Sequence, residues 1–151
     1  MNYFYVALIS MVPILELRAA IPLGLGMGLN VYLTYLIAVT ANLLPIPFVL
    51  FLSRPLMNFL KSTKVLKPIA DKLERKVQKN RTKIMKYSAF GLFLFVAVPL
   101  PGTGAWSGAL AASLFDMRFK YSFPSIVFGV MTAGVIMCFG TSIVQWLINL
   151  F

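Results

Sequence analysis

The chain has 151 residues, 60% of them hydrophobic and 12% charged, and carries a net charge of +10. Its mean hydropathy is +0.86. These values describe an all-α polytopic membrane protein and exclude a soluble domain with a large core. The positive charge lies in one block between apolar runs, so it reads as topology and anionic-lipid contact, not nucleic-acid binding.

The first apolar run spans residues 3–29, about 27 residues, more than one crossing needs and fewer than two. It carries Glu16-Leu17-Arg18 near its middle, then Pro22-Leu23-Gly24-Leu25-Gly26. The N-terminus lacks a basic n-region and a small-residue cleavage site, so the chain is expected to be retained whole. Residues 31–52 form a span of normal length, with a kink expected from Asn42, Pro45 and Pro47 and an end at Ser53-Arg54-Pro55.

Residues 53–86 are polar and basic. From Arg54 to Lys86 there are eleven basic and two acidic residues, a net of +9, which places this segment in the cytoplasm. Leu66, Ile69, Leu73, Val77 and Ile84 recur at helical spacing, and Asp71 and Arg75 are four apart. An amphipathic helix on the inner membrane surface fits, starting near Pro68. A soluble coiled-coil arm is the alternative.

The second apolar run, residues 87–115, is about 29 residues long and is broken at its centre by Pro99-Leu100-Pro101-Gly102-Thr103-Gly104. Basic residues flank it on both sides, which favours a re-entrant hairpin over a single kinked span. Residues 123–151 form the last span. Pro124 is expected in its first turn, and Gly129, Ala133, Gly134 and Cys138 permit close helix packing. Gln145, Trp146 and Asn149 mark its far interface.

Counting sides, each half of the chain reads as a hairpin plus a span: 1–52 and 87–151, the two halves inverted about the basic segment. This is the inverted-repeat logic of secondary transporters, whose broken helices meet near the midplane. Two opposed re-entrant hairpins are the predicted architecture. A faint echo relates Pro22-Leu23-Gly24-x-Gly26 to Pro99-Leu100-Pro101-Gly102-x-Gly104.

Glu16 and Arg18 are the ionisable side chains well inside an apolar run, where charges mark pathways or proton relays. Glu16 reads as a proton or cation carrier and Arg18 as its partner or an anion anchor. A structural pair at the hairpin tip is the alternative. Pro99, Pro101, Gly102, Thr103 and Gly104 offer backbone groups. A half-helix starting near Thr103 would present free N–H groups to an anion, unless the motif is a plain tight turn. Trp106 and Ser107 follow on that half-helix, and Trp106 either lines a cavity or packs. Asn42 is placed to hydrogen-bond a hairpin tip.

There is no His and one cysteine, Cys138, so an intrachain disulfide is impossible and neither a metal site nor a cofactor is expected. No nucleophile pattern argues for an enzyme. A second copy is one way for so small a chain to enclose a cavity, though nothing in the sequence fixes one. A non-transporting scaffold whose surface helix recruits a partner is a further alternative.

With Glu16-Leu17-Arg18-Ala19-Ala20-Ile21-Pro22 near the start and Pro99-Leu100-Pro101-Gly102-Thr103-Gly104-Ala105-Trp106-Ser107-Gly108 late, the chain resembles the small multidrug export protein family of bacteria and archaea. That family is similar to the broader DedA group, whose architecture is two opposed re-entrant hairpins with transmembrane helices. The resemblance implies a cell-membrane transporter, proton-coupled, that exports small compounds. Glu16, Arg18, Pro22, Asn42, Pro99, Pro101, Gly102, Thr103, Gly104, Trp106 and Ser107 are the expected contacts for substrate or ion. The alternative it implies is a lipid translocase acting on polyprenyl-phosphate or phospholipid.

Overall fold

The computed structural model describes residues 2–61, 81–100, 102–115 and 117–150, and these are helical throughout apart from short connections. In chain order the helices are α1 (Asn2–Met11), α2 (Glu16–Gly26), α3 (Val31–Leu43), α4 (Ile46–Lys61), α5 (Arg81–Ala97), α6 (Ala105–Leu114) and α7 (Phe119–Leu150).

The first run is two helices that fold back on each other. The backbone N–H of Asn30, just past α2, donates to the hydroxyl of Tyr3, near the start of α1, at 3.3 Å. Gly24 makes the close approach possible: a Cβ there would meet Val6 of α1 at 3.1 Å and Thr34 of α3 at 2.6 Å. The hydroxyl of Ser10 donates to the carbonyl of Ala38, fixing α3 alongside. The break lies at residues 12–15, directly before Glu16. Pro22 and Gly24 lie inside α2. The echo with the Pro99–Gly104 stretch is therefore not a structural equivalence, because that stretch is a loop.

Asn30 caps α3, its side chain accepting from Tyr32 N–H at 3.0 Å and Leu33 N–H at 3.3 Å. The expected interruption of the second segment is present as a turn at Leu44–Pro45 between α3 and α4. The expected stop at Ser53-Arg54-Pro55 is absent, since α4 runs through Pro55 to Lys61. Proline removes a single donor, and a helix with good residues beyond it survives that loss as a bend. The predicted amphipathic helix, its start near Pro68 and the Asp71–Arg75 pair lie outside the described residues. Of its apolar positions, Ile84 falls in α5.

The second run also folds back. A Cβ on Gly108 of α6 would meet Val96 at 2.5 Å and Leu92 at 3.6 Å, both on α5. α5 begins at Arg81, before the expected boundary at 87. α6 begins at Ala105, two residues after the expected start at Thr103. α7 begins at Phe119, four residues before the expected 123, so Pro124 lies past its first turn. The extra turn is held by aromatic packing: Phe119 stacks on Phe123 with ring centroids 5.2 Å apart and reaches Phe51 of α4 at 5.5 Å.

α7 is the spine of the bundle, with α2, α3, α5 and α6 packed against it. Its glycines act as the sequence predicts. A Cβ on Gly129 would strike Val96 at 2.7 Å and the Phe93 carbonyl at 3.0 Å. One on Gly134 would strike the Tyr35 ring at 2.8 Å. Tyr35 then donates its hydroxyl to the Met131 carbonyl at 3.2 Å. The core is small and aliphatic, built around Val6, Leu17, Ile21, Ala38, Ile46, Val96, Ala105, Ala109, Ile126 and Val130. The outer surface carries Tyr32, Phe48, Phe51, Leu52, Phe139 and Ile148 in the open, a distribution suited to lipid.

Candidate functional site

The two helix breaks meet, and Glu16 is the contact. It is the first residue of α2, sits at φ +50°, and is 3% exposed. A left-handed φ costs a non-glycine residue roughly 1–2 kcal/mol. Strain of this kind persists where surrounding contacts impose it. Here the contacts are made by the carboxylate. Oε1 accepts the backbone N–H of Trp106 at 3.1 Å, and Oε2 accepts that of Ala105 at 3.3 Å.

Those two N–H groups open α6. Helix starts leave their first donors unpaired, and a side chain from the preceding residue usually takes one. The residue preceding α6 is Gly104, which has no side chain to offer. Glu16, from the other hairpin, supplies the missing cap. A carboxylate also suits the positive end of the α6 dipole. Gly104 is required for this approach, since a Cβ there would collide with Glu16 Oε2 and Arg18 Nη1 and lie 2.7 Å from Glu16 Cδ.

Arg18 completes the junction. Its Nη1 donates to Glu16 Oε2 at 2.9 Å, a pair in which both side chains are largely buried. Its Nη2 donates to Thr103 Oγ1 at 3.0 Å and to the Val98 carbonyl at 3.3 Å. Thr103 in turn organises the loop. Its hydroxyl donates to the Val98 carbonyl at 2.7 Å, lies 2.9 Å from the Leu100 carbonyl and accepts the Leu100 N–H at 3.3 Å. The Glu16-Leu17-Arg18 tripeptide therefore holds both the loop after α5 and the start of α6.

The remaining expected residues are spread more widely. Gly102 is an exposed turn residue at φ +85°. Pro99 is half-buried in the loop, and Pro101 lies outside the described residues. Ser107 Oγ turns back to the Gly104 carbonyl at 3.4 Å. Pro22 is half-buried inside α2, away from its N-terminal end. Asn42 is fully buried on α3, with neither amide atom hydrogen-bonded. Trp106 Nε1 and Arg18 Nε are also buried without a partner. Sequence reading missed the Val98 carbonyl, and it left the N–H groups at the start of α6 open to an outside anion, whereas Glu16 takes them. Their signal is a buried helix start with no local capping side chain.

Among the described residues, helices alone, with two stretches long and apolar enough to cross a bilayer, Val31–Leu52 and Phe119–Leu150, and an ion pair closed off between helix breaks give the build of an integral membrane protein. Residues 16–136 match the family described as "Putative small multi-drug export protein", and the chain belongs to that family. The match begins at Glu16 and contains the whole junction. No curated protein and no solved structure matches the chain.

Proposed function

We propose that this chain is a multi-pass cell-membrane exporter of small compounds, with its transport path at the meeting point of two helical hairpins that enter the bilayer from opposite faces. The observation that carries this reading is the buried Glu16–Arg18 pair bridging the two breaks. A charge pair held away from water costs several kcal/mol unless it is well compensated, and in membrane proteins such groups mark pathways. Glu16 is the residue that takes up and releases the coupling proton, and Arg18 is its counter-charge. The basic segment 54–86 lies on the cytoplasmic side against anionic headgroups.

Lipid translocation with a phosphate headgroup at the α6 N-terminus is the weaker reading, because Glu16 already occupies the Ala105 and Trp106 N–H groups.

Purified protein in vesicles, given a pH gradient and ethidium, tests the proposal. Gradient-driven ethidium movement is expected, and Glu16→Gln should abolish it. Ethidium movement in Glu16→Gln at the parental rate and with the parental pH dependence would remove the proton-carrier assignment. Exchange of a fluorescent phospholipid without ethidium movement would replace the export reading with the lipid one.

A further inference from the structure

We propose that the contact between Glu16 and the N-terminus of α6 is a gate, shut in this structure and opened when the Glu16 carboxylate is neutralised. The proposal rests on the exporter reading above and names how its path is controlled.

The contact has the features of a latch. It is made by one side chain, and it joins segments about ninety residues apart in sequence. Glu16 to Trp106 and Ala105 are the direct bonds between the α2 start and the α6 start. Arg18 to Thr103 and Val98 is the second strap, and it is positioned by Glu16 through the 2.9 Å pair. An ionised carboxylate attracts the α6 dipole, both N–H groups and Arg18 together. Protonated, it keeps one hydroxyl that must find an acceptor, while its two N–H partners and Arg18 lose their charge partner. One proton therefore weakens both straps.

Among the described residues the charged group facing Glu16 is Arg18 of its own helix. α6 brings N–H groups, and the loop after α5 brings the Val98 carbonyl and the Thr103 hydroxyl around Arg18. The ionisable groups on the helices packed against α2 are engaged or turned elsewhere. Tyr3 meets Asn30, Tyr35 meets Met131, and Cys138 is buried on α7. Tyr5, Tyr32, Lys120 and Tyr121 are exposed. The left-handed φ at Glu16 is strain that opening would release.

The test measures water access behind the latch. Cys138→Ala protein carries a single reporter, Leu17→Cys or Ala105→Cys, at positions buried on either side of the contact. A charged, membrane-impermeant thiol reagent is applied, and each rate is divided by its rate on the unfolded protein at the same pH. Acidification of the Glu16 parent should raise the corrected rate at both reporters by at least about tenfold, the shift expected from losing a charge-assisted hydrogen bond. Glu16→Gln should be fast at every pH. Slow, pH-independent labelling at both reporters in the parent would overturn the gate and leave a fixed clamp. That measurement needs no substitution at Glu16. Ethidium movement is followed in the same vesicles. Export without opening removes the gate alone, whereas opening without export keeps the gate and removes the exporter reading.

Discussion

The Glu16 carboxylate of α2 receives the backbone N–H of Trp106 at 3.1 Å, across ninety positions of sequence. This is helix capping supplied in trans. Each fold-back pair of helices has a second arm, α2 or α6, that begins at the break, and the first residue of one arm closes the start of the other. The same carboxylate holds Arg18, so one side chain joins backbone capping, an ion pair and the loop that Arg18 grips.

Removing that side chain should be costly. Glu16→Ala leaves Arg18 buried without its partner and uncaps α6, and breaking a buried pair in this way costs about 3–5 kcal/mol. Glu16→Gln keeps an acceptor for one N–H but removes the counter-charge of Arg18, and should cost less than Ala, about 1.5–3 kcal/mol, on the scale of a lost charge-assisted bond. Thermal unfolding in detergent should rank parent above Gln above Ala. Equal midpoints for parent and Ala would show that the junction contributes nothing to stability.

Gly104 and Gly102 are both loop glycines at positive φ, yet they should respond differently. A Cβ on Gly104 runs into Glu16 and Arg18, whereas one on Gly102 meets nothing within 4 Å. Gly102→Ala then carries the backbone cost alone, roughly 1–2 kcal/mol. Gly104→Ala should lower stability further and abolish ethidium export, because the two hairpins must part to admit a methyl group. Full export in Gly104→Ala would mean that the close approach is dispensable.

The α7 glycines give a second graded pair. A methyl group on Gly129 meets a backbone carbonyl, Phe93 O, as well as Val96, and a backbone cannot swing aside. On Gly134 it meets the Tyr35 ring, which can move at the expense of its bond to the Met131 carbonyl. Overpacking costs about 1–3 kcal/mol. Gly129→Ala should sit at the upper end of that range and Gly134→Ala at the lower, read as detergent unfolding midpoints. The reverse order would place the tighter seam between α7 and α3.

Much of this organisation was visible in residue types. Prolines and glycines marked the second break, and small residues on α7 marked its seams. Glu16 and Arg18 stood out as charges in apolar sequence. What failed was local inference about helix ends. Pro55 looked like a helix stop but lies within α4, because it deletes one donor and leaves the neighbouring turns intact. The start of α7 depends on Phe119 reaching Phe51, a contact that no window around residue 119 contains. The cap on α6 was hidden for the same reason. Gly104 is a poor signal of a helix start, and the side chain that makes it work lies in a distant segment.

Membrane sidedness provides the broadest check. α6 runs back along α5, with Gly108 against Val96 and Leu92, so the start of α5 and the end of α6 share one end of the bundle. α7 sets out from that end with Arg118 just before it and Lys120 in its first turn, and at about 1.5 Å per residue its 32 residues outreach a hydrocarbon core of about 30 Å. Single cysteines at Ser88, Phe115 and Lys120 should therefore react with an impermeant reagent from the same face, the cytoplasmic one given the basic residues there. A cysteine at Leu150 should react from the opposite face. Inside-out and right-side-out vesicles make the comparison directly. Ser88 and Lys120 reacting from opposite faces would mean that residues 88–115 cross the bilayer once. The two helix breaks would then not approach from opposite faces, and the proposed path at Glu16 would be lost.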